Sequence, residues 1–312
     1  MLPVRRAVID VGTNSIKLLV ADVSSQAITP LLETSEQTRL GSGFYETHCL
    51  QSAAIQQTAR VVASFAQMAQ QRQAGSIRVI ATSAARDAQN QHELVSAIQE
   101  SSGLAVEIIS GEQEAEWVFR GVWSDPKLRG QPLLILDVGG GSTELILGEH
   151  NHCLFRQSFR LGSVRLLEKF RPSDPPISTD LAGCREWLNE FLRREIAPAL
   201  APSLRHNADR VQLVGAGGTT TILARMFLET NDYDREQIEA TRLTRQQVRN
   251  YVDHLWSLPL AQRRQIAGLP ANRADVILMG AAIYEAVMEQ FRFAGLLVTT
   301  RGLRFGAMME TA

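Results

Sequence analysis

Ile9-Asp10-Val11-Gly12-Thr13-Asn14-Ser15-Ile16-Lys17-Leu18-Leu19-Val20 decides the fold, because the segment returns as Leu136-Asp137-Val138-Gly139-Gly140-Gly141-Ser142-Thr143-Glu144-Leu145-Ile146-Leu147. The offset is constant (137 − 10 = 127), and Asp, Val, Gly, Ser and Leu coincide. In each copy an apolar run ends in Asp, turns through Gly and small hydroxyl residues, and resumes as a strand. That pattern predicts a β-hairpin with a tight turn. A polar turn follows each time, Ser24-Ser25-Gln26 and Glu149-His150-Asn151-His152, and then a further strand-like stretch. Two duplicated halves are the economical explanation, with a boundary near Asp125-Pro126-Lys127-Leu128-Arg129-Gly130.

Between the copies, helix and strand alternate. Gln51 to Gln71 carries Ile55, Ala59, Val62, Phe65, Ala66 and Met68 at helical spacing. Ile77–Ala81 reads as a strand, followed by Thr82-Ser83-Ala84-Ala85-Arg86 and a helix through Leu94 and Ile98. After the strand Val106–Ile109, Ser110-Gly111-Glu112-Gln113 has the form of a capping box opening a helix through Trp117 and Phe119. In the second half Val211–Val214 reads as a short strand running into Gly215-Ala216-Gly217-Gly218-Thr219, then a helix. Arg273 to Phe291 reads as one long helix, and Leu296–Val298 as a last strand. The whole predicts an α/β fold of two lobes, 1–125 and 126–299, with a final helix in 300–312 packing back on the first. A cleft between lobes is the default place for a ligand.

Composition narrows the function. Hydrophobic residues make up 45% and charged ones 21%, with 32 Lys+Arg against 33 Asp+Glu, a net charge of −1. That is globular composition without the broad basic face expected for nucleic acid or an anionic membrane. Cys49, Cys153 and Cys184 include no C-x-x-C pair, so neither a zinc nor a disulfide framework is predicted, and a reducing cytoplasm fits. No signal-peptide pattern and no run of about 18 apolar residues is present.

The duplicated turns carry the chemistry. Glycine admits positive φ and lets backbone amides converge without a Cβ in the way, and such a nest binds phosphate oxygens. Gly12, Thr13, Asn14 and Ser15 in one copy, with Gly139, Gly140, Gly141, Ser142 and Thr143 in the other, are therefore candidate phosphate contacts. The strand-end aspartates Asp10 and Asp137 are acceptor-only groups suited to Mg²⁺ or its waters. Gly217, Gly218 and Thr219 open a helix and offer amides to a distal phosphate or a nucleotide. His150-Asn151-His152-Cys153 is read as a solvated turn rather than a metal cluster, and Trp117, Trp123, Trp187 and Trp256 as core.

The two loops resemble the phosphate loops of the actin, sugar kinase and heat-shock ATPase superfamily. More narrowly, the chain resembles the exopolyphosphatase/guanosine pentaphosphate phosphatase (Ppx/GppA) family. The resemblance rests on Ala7–Val20, Ala81–Asn90, Ile109–Ala115, Leu136–Glu144, Leu161–Arg165, Val214–Thr219, Arg273–Asp275 and Arg301–Arg304, in the family's order. It implies two ribonuclease H-like, actin-like ATPase lobes in a short two-domain form; longer members add a helical C-terminal region. It implies Glu114 as the general base, Asp137 and Glu144 as metal ligands with Asp10 a weaker third, and Arg86 on phosphate, with Arg165, Arg273 and Arg301 as lesser candidates.

The implied activity is metal-dependent release of terminal orthophosphate from inorganic polyphosphate. Hydrolysis of guanosine pentaphosphate, a weakly active sensor of polyphosphate or guanosine tetraphosphate, and an ATP-dependent kinase are the alternatives. Mg²⁺ is the implied cofactor, with another divalent ion or a monovalent cation admitted. The partners implied are these polyanions, not nucleic acid or membrane, and a homodimer is left open.

Overall fold

A computed structural model describes residues 3–25, 27–150, 152–204 and 210–310. Gln26 and Asn151, expected in the two polar turns, lie outside the described residues, as do residues 1–2, 205–209 and 311–312. The chain divides into two units, Met1–Pro126 with Arg301–Ala312, and Lys127–Thr300.

The first unit begins with β1 (Val4–Val11), β2 (Ser15–Val23) and β3 (Ile28–Gln37), an antiparallel meander. After α1 (Phe44–Thr47) and α2 (Ser52–Gln71) come β4 (Ser76–Ala81), α3 (Ser83–Asp87), α4 (Gln91–Ser102), β5 (Val106–Ile108) and α5 (Gly111–Trp123). Strands β4 and β5 add in parallel beyond β1, giving the order β3-β2-β1-β4-β5. Helix α2 buries Ile55, Ala59, Val62, Phe65, Ala66 and Ala69, one apolar stripe at 3.6-residue spacing. Ala7, Ile9 and Val11 of β1 and Leu94 and Ile98 of α4 complete that core.

The second unit repeats the meander with β6 (Leu133–Val138), β7 (Thr143–Glu149) and β8 (His152–Phe159), followed by α6 (Ser163–Phe170). Helix α7 (Ser178–Phe191) runs through a π turn into α8 (Ala197–Leu204). Next are β9 (Gln212–Ala216), α9 (Gly217–Phe227), α10 (Arg235–Ala240), β10 (Arg242–Thr244), α11 (Arg245–Ser257), α12 (Leu260–Arg263), α13 (Ile277–Gln290) and β11 (Gly295–Val298). The sheet order is β10-β11-β9-β6-β7-β8. The chain then returns to the first unit as α14 (Leu303–Met309), held there by Arg6 to Met308 O at 2.7 Å and by Arg304 to Leu18 O at 2.9 Å. Among the described residues, no helix is long and apolar enough to cross a membrane.

Three local expectations change. Helix α13 starts at Ile277 rather than Arg273, because Asp275 turns its carboxylate onto the Val276 amide at 2.9 Å and competes with the helical bond. Strand β9 extends through Ala216 and α9 begins at the next residue, so no loop separates them. Ser110 does cap α5, accepting from the Gln113 amide at 3.1 Å, but the reciprocal side-chain bond of a capping box is not formed.

Helix α13 is buried all round, from Ile277 to Met288, as a central core helix must be. Its Tyr284 hydroxyl is shared between Leu136 O at 2.7 Å and Ala216 O at 3.2 Å, which satisfies a buried donor and ties the ends of β6 and β9 together. Burial, followed by the charge of Asp137, pushes that phenol well above its ordinary pKa, so it stays a donor. The neighbouring Glu285, 1% exposed, is chelated by Arg185 at 2.6 and 2.9 Å, and Arg185 also reaches Asp253 at 2.7 Å. Arg185→Ala strands that carboxylate in the core and is expected to lower unfolding free energy by about 2–4 kcal/mol in urea melts, slightly under the usual cost because Arg185 is partly solvated.

Candidate active site

The two hairpin loops are superposable in their bonding. Gly12 N donates to Ser15 O at 3.1 Å and Gly139 N to Ser142 O at 2.9 Å, so each turn has two tip residues, Thr13-Asn14 and Gly140-Gly141. Neither Gly12 nor Gly139 adopts the positive φ that glycine admits. What the loops share instead is a cradle on their carbonyl side. Thr13 O accepts from Gly41 N at 2.8 Å and Asn14 O from Arg39 N at 3.0 Å. In the second unit Gly139 O accepts from Ser163 N at 3.0 Å, Gly140 O from Val164 N at 2.9 Å, and Gly141 O from Arg165 Nε at 2.9 Å.

The carbonyls of both loops are thus committed inside the fold. Among the described residues, the amides of Thr13, Asn14, Gly140, Gly141 and Ser142 donate to no protein acceptor. Amides left without a protein acceptor in a tight turn are groups that can receive an anion. Thr143 is placed differently. It is fully buried and its hydroxyl donates to Leu161 O at 2.5 Å, so that proton is used inside the fold.

The cradles are themselves a repeat, Arg39-Leu40-Gly41-Ser42 and Arg160-Leu161-Gly162-Ser163. A Cβ at Gly41 would lie 2.3 Å from Thr13 Cγ2, and one at Gly162 would lie 2.4 Å from Gly140 O. The identical four-residue order is the sequence signal for Gly41. It escapes the hairpin comparison because it falls outside the 127-residue register.

One rung of each sheet carries the carboxylates. In the second unit Asp137 stands opposite Glu144 across β6–β7, and Glu144 opposite Ser158 across β7–β8. In the first unit the same rung reads Asp10, Lys17, Ser35. Directly opposed residues bring their Cβ atoms to about 4.5–5.5 Å, so Asp137 and Glu144 can share one hard cation. Glu144 is 2% exposed. Among the described residues no group of three or more His, Cys, Asp or Glu gathers. Two carboxylates completed by water and substrate phosphate is a form that suits Mg²⁺ better than a dedicated all-protein cage.

Asp10 has a different environment. Burial raises its carboxyl above the usual range, while Lys17 and Arg304 pull the other way. Its counterpart Asp137 lies against the start of α9, where Gly217 has φ +81° and a Cβ would fall 2.2 Å from Asp137 Oδ1. The helix N-terminus, with its partial positive charge, thus faces a carboxylate of the chain itself. Thr219 Oγ1 lies 3.4 Å from Val138 O, and Gly218 has open space around it.

Glu114 sits in the first turn of α5, 7% exposed. Arg86, at the end of α3, donates to Glu114 Oε2 at 2.9 Å and to Ile109 O at 3.0 Å. The predicted phosphate arginine is therefore bonded to the predicted base. Arg165 braces the second loop, and Arg301 lies 3.3 Å from Ser124 O with its guanidinium 5.3 Å from the Phe305 ring. Arg273 ends a short 3-10 turn before α13. His150 is exposed in its turn, Trp117, Trp123 and Trp256 are buried, and Trp187 stacks on Phe191.

Residues 19–312 match the Ppx/GppA phosphatase family. Exopolyphosphatase 2 of Mycobacterium tuberculosis is 33% identical over 297 residues, spanning 92% of this chain and 91% of that protein. A guanosine-5'-triphosphate,3'-diphosphate pyrophosphatase of Aeromonas salmonicida is 28% identical over 306 residues, 96% of this chain and 58% of the relative. Among solved structures, an exopolyphosphatase from Cytophaga hutchinsonii aligns with a TM-score of 0.87 at 27% identity, covering 98% of this chain and 96% of its own. The Aquifex aeolicus Ppx/GppA protein aligns at 0.79 with 29% identity, covering 98% and 96%. The fold is the two-lobed actin-like α/β architecture of those proteins. By sequence and by fold, the chain belongs to the Ppx/GppA phosphatase family.

Proposed function

We propose that the protein is an exopolyphosphatase, a phosphoanhydride hydrolase that releases terminal orthophosphate from linear inorganic polyphosphate. The observation that carries this reading is the rung in which Asp137 faces Glu144 beside a loop whose Gly140, Gly141 and Ser142 amides have no protein acceptor among the described residues. The matching loop at Thr13 and Asn14 offers a second set of amides. Such donors bind phosphate oxygens and stabilise charge that develops on them in the transition state.

Glu114 holds a water and takes its proton as the water oxygen attacks the terminal phosphorus in line. The bond from that phosphorus to its bridging oxygen breaks, and the shortened chain leaves as an oxyanion. Family phosphatases are metal-dependent; here Asp137 and Glu144 would hold the ion, Mg²⁺ in this proposal, which neutralises phosphate charge when bound. Asp10, already flanked by Lys17 and Arg304, contributes less to metal binding.

Arg86 acts on the base in this account. Arg86→Gln is expected to lower kcat about 10–100-fold, as loss of orientation does, while KM moves less than about threefold. Steady-state orthophosphate release checks this, and a large rise in KM at unchanged kcat would instead make Arg86 a phosphate contact.

The relative from Aeromonas salmonicida favours guanosine pentaphosphate as a second substrate. Side-by-side kcat/KM values on long polyphosphate, short polyphosphate and guanosine pentaphosphate decide the order. We expect long or short polyphosphate to lead. A guanosine pentaphosphate value at least tenfold above both would overturn the exopolyphosphatase reading in favour of that nucleotide.

A further inference from the structure

We propose that Ser158 is a positioning residue for Glu144, setting the affinity of the second unit for its divalent ion. The inference rests on the metal reading above and adds a residue to it.

Three observations carry it. Ser158 stands directly opposite Glu144 in the β7–β8 ladder, and its Oγ donates to Glu144 Oε1 at 2.7 Å. That is the length of a charge-assisted O–H···O⁻ bond, about twice as strong as a neutral one. Glu144 is almost fully buried, and a buried carboxylate depends on fixed partners for its orientation. A long side chain with three rotatable bonds loses rotamer freedom on binding an ion. Anchoring Oε1 removes part of that loss beforehand.

The duplicated first unit supplies the contrast. There the rung places Ser35 opposite Lys17 rather than opposite a carboxylate. A serine stands third on both rungs, yet only in the second unit does it meet an acceptor that can also ligate a cation. The partner of a ligand typically changes metal affinity by 10–100-fold when removed.

The test uses the full chain and reads Mn²⁺ binding directly by electron paramagnetic resonance, with a non-hydrolysable bisphosphonate present to complete the coordination. Ser158→Ala is expected to weaken Mn²⁺ at least tenfold, and Ser158→Thr, which keeps the hydroxyl, to restore affinity to within about threefold. In the orthophosphate assay the Mg²⁺ concentration for half-maximal rate should rise in parallel for Ser158→Ala, and excess Mg²⁺ should recover much of the rate. A purely structural serine would alter thermal stability but leave Mn²⁺ affinity in place.

Glu144→Gln separates the two levels of the argument. If Glu144→Gln loses Mn²⁺ while Ser158→Ala binds it as tightly as the parent, the positioning role is overturned and the metal reading stands. If Glu144→Gln binds Mn²⁺ normally, the metal reading falls and the role of Ser158 with it.

Discussion

Glu114→Gln is expected to reduce orthophosphate release from polyphosphate by about 10²–10⁴-fold, the usual contribution of a positioned general base. The substitution keeps size and one acceptor oxygen but replaces the basic carboxylate by an amide that cannot take the water's proton. The rest of its framework is kept: Ser110 still caps α5, and Ala115, Trp117 and Val118 still pack in the core. Arg86 can still donate to the amide oxygen and to Ile109 O. Unfolding by urea should therefore change by no more than about 1.5–3 kcal/mol, the scale of a hydrogen bond to a charged group, and KM should change little. Turnover within threefold of the parent would remove Glu114 from the chemistry.

Gly217→Ala should be nearly as damaging for a different reason. At φ +81° an L side chain costs about 1–2 kcal/mol, and its Cβ would stand 2.2 Å from Asp137 Oδ1. Either α9 or the Asp137 carboxylate must shift. A displacement of about 1 Å in a catalytic group costs about 100-fold in rate, and we expect that loss here together with about 1–3 kcal/mol of stability. Gly218→Ala is the internal control for stability, since a Cβ at that position would meet nothing within 4 Å. It should be neutral or stabilising in the same urea melts, because alanine restricts the unfolded chain. Equal destabilisation by the two substitutions would mean that the Gly217–Asp137 approach is not the cause.

The hairpin repeat makes the fold legible because both the spacing within a hairpin and its turn chemistry are local. Asp10 pairs with Lys17 and Asp137 with Glu144 by the same count of residues, so the paired rungs follow from the aligned segments. Long-range approaches are not legible. Nothing in the neighbourhood of Gly217 announces a carboxylate 80 positions earlier, and nothing around Arg86 announces Glu114. Ser158 lies on an edge strand of mixed polarity, where serine is ordinary until the register is known. Periodicity alone starts α13 too early because the apolar pattern continues back through Ala274, while the Asp275 side chain diverts the backbone from helix. Periodicity reports which face is buried and says little about side chains that compete for the amide.

The central claim is hydrolysis, water attacking a terminal phosphorus with the help of Glu114 and a divalent ion. Incubation of the purified full chain with polyphosphate and Mg²⁺ in ¹⁸O-labelled water, with mass analysis of the released orthophosphate, tests it most directly. The account predicts one ¹⁸O in each released orthophosphate, steady accumulation without added acceptor, and loss of release on chelation of the metal. Transfer of the terminal phosphoryl group to an added alcohol or carboxylate, with the phosphorylated acceptor as product and no labelled orthophosphate formed, would contradict it and make the protein a phosphotransferase.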